Sequence, residues 1–314
     1  MRFGRIGVLA GGPSSERDIS LKSGTAVYNA LKNSGFDVQF IDIKGAPQRI
    51  LERSNIDIAF IALHGGFGED GTIQGILEKL DTPYTGSGPR SSRLALDKIG
   101  SRKIFIKNAI PTPEYLAINK RMAFRDLHEK FGLPLVVKPQ KEGSSIGLSV
   151  VRRNSEVKGA LDLAFRYSNN ILIEKFIKGR ELTVGILNKE ALPVIEILSK
   201  KHIYDYGAKY LDKKTEYIVP ARIENKIYRK AQDLGIRAHR ALGCRDFSRV
   251  DMKMDKNGNI FVLEVNTIPG LTERSLLPKA AQAADIGFGE LCVRLLELAL
   301  CKKGVRYGDY KKEG

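Results

Sequence analysis

The stretch Phe247–Gly270, FSRVDMKMDKNGNIFVLEVNTIPG, decides the fold of the C-terminal part of this chain. Two alternating runs flank Asn257-Gly258, a strong hairpin signal, and a two-residue turn there sets Asp251 opposite Glu264 and Arg249 opposite Asn266. Side chains two apart on a strand share a face. Arg249, Asp251, Glu264 and Asn266 therefore form one polar rectangle, with Lys253 on the same face. Val250, Met252, Met254, Phe261, Leu263 and Val265 form the opposite, apolar face, which is core. Two carboxylates and an amide oxygen make a hard-oxygen site of the kind Mg²⁺ uses together with substrate phosphates. The arginine beside them suits negative charge developing on an acyl or phosphoryl centre. The same pattern also reads as a solvated hairpin face closed by a salt bridge, although crowding two carboxylates without a cation is costly.

Working outward, Glu224–Leu242 before the hairpin is an amphipathic helix with Ile227, Ala231, Leu234, Ala238 and Leu242 on one stripe. Ahead of it lies Ser199–Ala221, long and weakly periodic, with four tyrosines and several lysines. It reads either as a lid that orders over an anionic ligand or as a surface excursion. After the hairpin, Ser275 caps a helix over Leu276–Ala284, whose N-terminus suits a carboxylate or phosphate. Ile286–Cys301 is a last amphipathic helix.

The N-terminal part has a different rhythm. Strands over Arg5–Ala10, Phe36–Ile43 and Asp57–Leu63 alternate with helices, the first over Arg17–Ser34. This is a βαβ series, hence a doubly wound parallel sheet, and ligands of such sheets sit beyond the carboxyl ends of the strands. Glu16 and His64 fall just after strand ends. The glycine turn GGPSSE at 11–16 is not GxGxxG and no acidic ribose contact follows, which argues against a dinucleotide site. One helix is expected over Ser91–Asn108, carrying Asp97-Lys98.

The middle segment is α+β. A strand over Leu133–Val137 ends at Lys138, then comes the loop Glu142-Gly143-Ser144-Ser145-Ile146-Gly147, then a strand over Leu148–Val151. The loop reads either as a phosphate cover built from backbone N–H groups and one lysine, or as a plain hairpin loop. Strands over Ile171–Phe176 and Leu182–Leu187 form a nucleotide wall or an ordinary antiparallel meander. The expected division is 1–95, 96–182 and 183–314, a parallel-sheet unit followed by two α+β units.

The 314 residues are 42% hydrophobic, enough for ordinary globular cores, and no run approaches the roughly 18 apolar residues of a membrane span. The apolar part of MRFGRIGVLAGG is too short for a signal peptide. Cys244, Cys292 and Cys301 are odd in number and lack metal spacing, so a reducing cytoplasm is the simplest compartment. The net charge is +16, but Lys and Arg are spread along the chain without an RNA-binding signature. Direct nucleic-acid binding is therefore not expected, and anionic substrates or a generally basic proteome account for the charge equally well.

These residues resemble the D-alanine–D-alanine ligases of the ATP-grasp superfamily. The likeness runs from Gly4 to about Leu300. It is carried by GGPSSERDISLKSG at 11–24, LHGGFGEDGTIQGILE at 63–78, PYTGSG at 83–88 and Asp97-Lys98. It continues through VKPQKEGSSIG at 137–147, YDYGAKY at 204–210, CRDFSRVD at 244–251, LEVNTIPG at 263–270 and SLLP at 275–278. The resemblance implies joining of two D-alanines with ATP converted to ADP, through an acylphosphate and a tetrahedral intermediate, for peptidoglycan synthesis. By resemblance Asp251, Glu264 and Asn266 match ligands of two Mg²⁺ (or Mn²⁺) ions, with Glu264 bridging, and Arg249 and the Gly270 backbone match the holders of the reacting oxygens. Lys98, Lys138 and Lys209 match lysines on the phosphates, beside Ser145. Glu174, Phe176 and Ile177 match the adenine wall, and Glu181 the ribose contact. Glu16 and His64 match the first D-alanine subsite, and Ser275 and Leu276 the second. Glu16, Ser144 and Tyr210 match a hydrogen-bonded triad that closes the lid. Related ligases that make D-alanyl-D-lactate generally lack this tyrosine, so its presence implies D-alanine rather than D-lactate or D-serine as second substrate. A homodimer is expected from the family alone. Asp246 stands where some members have glycine.

Overall fold

A computed structural model describes residues 3–119, 131–198 and 215–301. Lys209, Tyr210 and most of the expected lid lie outside these residues. The N-terminal sheet is parallel, in order β2-β1-β3, from β1 (Ile6–Gly11), β2 (Val38–Ile43) and β3 (Ile58–Ile61). The strands β1 and β3 are apolar and buried without alternation because helices cover both faces, while the edge strand β2 carries Gln39 and Asp42. Helix α1 (Arg17–Asn33) connects β1 to β2, and α2 (Pro47–Ser54) connects β2 to β3. After β3 the chain makes a one-turn helix, α3 (Gly66–Glu69), then α4 (Thr72–Lys79).

The helix expected over 91–108 is two helices, α5 (Pro89–Leu96) and α6 (Lys98–Lys107). Asp97 is the cause of the break: it is extended and its carboxylate caps α6 by accepting from the Gly100 N–H at 2.9 Å. The cap also accepts from the Gln140 side chain at 2.8 Å, which ties the start of α6 to the loop after the next sheet's third strand.

The second sheet is antiparallel, in order β4-β7-β5-β6, from β4 (Tyr115–Ile118), β5 (Leu135–Pro139), β6 (Ser149–Val151) and β7 (Ile171–Lys175). Helix α7 (Val157–Phe165) packs its apolar stripe on it. The third sheet follows without a break, in order β11-β10-β8-β12-β13. It is built from β8 (Gly179–Leu187), β9 (Glu190–Ala191, paired to β8), β10 (Ile195–Leu198), β11 (Glu216–Ile218), β12 (Phe247–Asp255) and β13 (Ile260–Asn266). One face is covered by α8 (Asn225–Ala241). The other meets α9 (Leu276–Gln282) and α10 (Phe288–Cys301), which return to pack on α1 and the first sheet.

The opening hairpin differs from the expectation in two ways that cancel at the rectangle. The turn has three residues, 256–258, because Asp255 pairs with Asn259 and Gly258 takes a left-handed φ of +78°. Asp255 stabilises it by accepting the N–H groups of Asn257 and Asn259 at 2.9 and 2.8 Å. A β-bulge then leaves Leu263 without a partner on β12, and beyond it Asp251 faces Glu264 and Arg249 faces Asn266. Between turn and bulge the alternation is inverted, so Phe261 and Leu263 are not core. Ile260 and Val262 are buried there instead, and Val265, beyond the bulge, is buried as expected, with Val250, Met252 and Met254 from β12.

Candidate active site

Three corners of the rectangle, Arg249, Asp251 and Asn266, are bonded together. Arg249 donates from Nε and Nη2 to the two carboxylate oxygens of Asp251 at 2.8 and 2.7 Å. The Thr183 hydroxyl, from the neighbouring strand β8, donates to the same carboxylate at 2.7 Å, and Asn266 Nδ2 donates to it at 3.2 Å. Such bonds fix the direction of a ligating carboxylate. Glu264 lies 3.8 Å from Lys98 Nζ, which itself donates to the Glu142 carbonyl at 2.5 Å. Lys253, on the same face, donates to Glu181 at 2.8 Å.

This floor opens into a cleft between the two antiparallel sheets. Lys98, Lys138, Ser144, Ser145, Glu174, Phe176, Ile177, Glu181, Asp251 and Glu264 all line it, and so does Leu263, put there by the bulge. Lys138 is buried and donates to Glu174 at 2.6 Å, while Arg102 donates to the other Glu174 oxygen at 2.9 Å. Burial pushes the Lys138 ammonium below the usual lysine range against the pull of Glu174. For Glu174 burial acts upward, but the two cations outweigh it and hold the carboxyl low. The Glu174 carboxylate is thus committed to cations, although the residue lines the cleft.

The glycine/serine loop folds over this cleft with Ser144 and Ser145 both at positive φ, 45° and 61°. Such conformations in residues with a side chain are held by their surroundings. Here the Ser144 hydroxyl donates to Glu16, a buried carboxylate at the end of the first sheet. A Cβ built on Gly143 would sit 3.0 Å from a Glu16 oxygen, so glycine allows the approach. Of the expected triad, Glu16 and Ser144 are joined, and Tyr210 lies outside the described residues.

His64 hangs the loop after β13 from the first sheet. Its Nδ1–H donates to the Ile268 carbonyl at 3.2 Å, and its Nε2 accepts from the Ser23 hydroxyl at 2.9 Å. The Leu271 N–H reaches the same Ser23 oxygen at 3.4 Å. Burial, together with the positive charge of Arg249, pushes the imidazole down to about 4, so the ring is neutral. Gly270 lies in this hung loop. Ser275 stands at the N-cap position of α9, but its hydroxyl does not cap the helix; it bonds Thr272, from the backbone N–H at 3.1 Å and with the hydroxyl at 2.8 Å. Leu276 is buried beside it.

Sequence reasoning missed Glu69, on α3. It accepts from the Gly65 N–H at 3.0 Å and lies 3.9 Å from His64 Nδ1. Burial, with Glu16 nearby, pushes its carboxyl up to about 8. The available signal was an acid inside HGGFGED, directly after a strand end.

The chemistry of the donor set fits a divalent cation. Among the described residues no trio of His, Cys, Asp and Glu side chains converges as a metal cluster. Asp251, Glu264 and Asn266 offer two carboxylates and an amide, leaving positions for phosphate oxygens and water, as Mg²⁺ prefers.

The chain is similar to known proteins over nearly its whole length. The family model described as "D-ala D-ala ligase C-terminus" matches residues 104–297, and "D-ala D-ala ligase N-terminus" matches 5–49 and 45–87. A D-alanine–D-alanine ligase of Pelotomaculum thermopropionicum is 47% identical over 313 residues, covering 96% of this chain and 98% of the relative. The D-alanine–D-alanine ligase of Bacillus anthracis solved in complex with ATP superposes with a TM-score of 0.85 at 34% identity, covering 96% of this chain and 99% of that one. The VanG D-Ala:D-Ser ligase of Enterococcus faecalis gives 0.81 at 29% identity, covering 95% and 99%.

Proposed function

The chain belongs to the D-alanine–D-alanine ligase family, and on that premise we propose how its residues divide the work. The reaction is the ATP-dependent joining of two D-alanines into D-alanyl-D-alanine for peptidoglycan synthesis. The observation that carries the assignment is the rectangle of Arg249, Asp251, Glu264 and Asn266 at the floor of a cleft that also presents Lys98 and Lys138.

ATP lies in the cleft with its base against Phe176 and Ile177, its ribose near Glu181 and its phosphates toward Lys98, Lys138 and Lys209, under the loop of Ser145. Asp251, Glu264 and Asn266 would hold two Mg²⁺ or Mn²⁺ ions, which supply neutralising charge to the phosphates when bound. The first D-alanine places its ammonium at Glu16, beside His64. Its carboxylate oxygen attacks the γ-phosphorus, the bond to the β-phosphate oxygen breaks, and ADP leaves an acylphosphate. The second D-alanine, its carboxylate at Ser275 and Leu276, attacks the acyl carbon with its deprotonated amine. Arg249 and the Gly270 N–H hold the oxygen that becomes negative, and collapse expels phosphate. Ser144, bonded to Glu16, closes the site with Tyr210, and closure keeps water from the acylphosphate. D-alanine as second substrate is supported by Tyr210 and by the higher identity to D-alanine–D-alanine ligases than to the D-Ala:D-Ser ligase. The cytoplasm as compartment and a homodimer as assembly are carried over from the family.

ADP release with D-alanine alone, compared with D-alanine plus D-lactate or D-serine and with L-alanine, tests the reading. Turnover with D-alanine alone is expected; its absence would overturn the assignment.

A further inference from the structure

Arg102 is the largest fully buried side chain among the described residues, and nothing in the reaction above uses it. It sits on α6 one turn after Lys98, on the same helix face. Its Nη1 donates to the carbonyls of Val262 and Leu263 at 2.9 and 2.5 Å, and its Nη2 to Glu174 at 2.9 Å. The two carbonyls belong to the β-bulge. The bulge decides the rectangle: if the pairing near the turn ran on unbroken, Leu263 would face Asp251 and Val265 would face Arg249. The other oxygen of Glu174 is held by Lys138 at 2.6 Å. One guanidinium therefore connects the backbone that sets Glu264 to the lysine that faces the nucleotide phosphates.

We propose that Arg102 is a positioning residue that locks the bulge beneath Glu264 and, through Glu174, the ammonium of Lys138, so that the metal-ligand strand and the nucleotide lysine are placed by one group. This rests on the reading of the cleft given above. Arginine suits the task because its charge persists when buried and its planar fork serves carbonyls and a carboxylate at once. A lysine has one donor centre and cannot span both partners. Thr112 also donates to the Val262 carbonyl, at 3.0 Å, but touches neither Leu263 nor Glu174 in its bonding, so it supports the strand without joining the two halves.

The test compares Arg102→Lys, Arg102→Gln and, as a control for a lost hydrogen bond on the same carbonyl, Thr112→Val. Two binding measurements need no D-alanine: ADP affinity by calorimetry without divalent metal, which reads Lys138, and Mn²⁺ affinity by electron paramagnetic resonance with saturating ADP, which reads Glu264. Both Arg102 variants are expected to lose about tenfold or more in each, the range typical of groups that orient ligands. Their KM for the first D-alanine is expected to stay within about twofold, since uniform binding at Glu16 is untouched. Thr112→Val is expected to lower the melting temperature and leave both affinities within about twofold, as a purely structural loss does. If a folded Arg102 variant kept both affinities and lost only thermal stability, the proposal would be wrong and Arg102 a core-filling cation. The same readings are required of either Arg102 variant, so poor folding of one leaves the other to decide. If the unaltered protein failed to turn over D-alanine, the reaction assignment would fall while these binding comparisons still stood.

Discussion

Replacing His239 with glutamine isolates one source of acid sensitivity in this fold. His239 is buried on α8, and its Nδ1 shares a 2.7 Å hydrogen bond with the buried hydroxyl of Ser248. Burial, with Arg240 adding its charge, pushes the imidazole down to about 4, and His64 is lowered to about 4 as well. A histidine with a depressed folded pKa contributes stability that is present above its unfolded value near 6.5. That contribution is lost as pH falls through the folded value. Between about pH 7 and about pH 4.5 each of these rings removes about 2 kcal/mol from the stability of the native state. At neutral pH His239→Gln is expected to be less stable by about 1–2 kcal/mol from imperfect packing. By about pH 4.5 that deficit should vanish or reverse, because glutamine cannot take the proton. Carboxylates such as Asp42 and Glu174, whose pKa values lie below the ordinary range, also weaken the fold in acid, so the readout is the difference between variant and unaltered protein. Urea unfolding followed by circular dichroism and tyrosine fluorescence supplies it, since the chain has no tryptophan. Equal losses in the two proteins across this pH range would refute the claim that the fold holds His239 neutral.

Three further outcomes follow from the site. Glu69→Gln should flatten stability at alkaline pH in metal-free buffer: a carboxyl raised to about 8 stabilises below its unfolded value and loses this as pH rises through 8. The unaltered protein should thus lose about 3 kcal/mol more than the variant between about pH 6 and about pH 9, read by thermal midpoints. Gly143→Ala puts a methyl 3.0 Å from Glu16 and should raise KM for the first D-alanine several-fold while leaving metal-free ADP affinity unchanged; steady-state kinetics and calorimetry decide. Asp251→Asn removes the charge that Arg249, Thr183 and Asn266 orient, and should cost about 100-fold or more in ADP release.

The rectangle was legible because alternation survives in the sequence on both sides of the turn, and the parallel sheet because unbroken apolar runs alternate with helix patterns. The bulge was not legible. Leu263 is apolar and continues the alternation that a regular strand would show, so only the third turn residue betrays that one position must be absorbed. The break between α5 and α6 carried a readable signal, since Asp97 is a helix-capping type, but the periodicity on either side masked it. Arg102 looks in sequence like any basic residue on a helix surface, and only the packing of α6 against the bulge makes it internal. Of the first D-alanine subsite, Glu16 and Ser144 are 128 positions apart, and no local rule brings them together.

The return of α9 and α10 to the first sheet has a consequence for how the chain is made. Val27, Leu31, Ile58 and Phe60 share one buried cluster with Leu277, Leu291, Leu295 and Leu296. On the ribosome the N-terminal residues emerge first, and their strands and α1 can pair, yet one apolar face has no cover until the last helices leave the exit tunnel. At ordinary elongation rates of roughly 5–20 residues per second, that face waits on the order of ten seconds or more. A nascent chain stalled before residue 276 would present it to chaperones, and a completed one would hide it. Helices α9 and α10 thus act as a seal on the earlier-made part of the molecule.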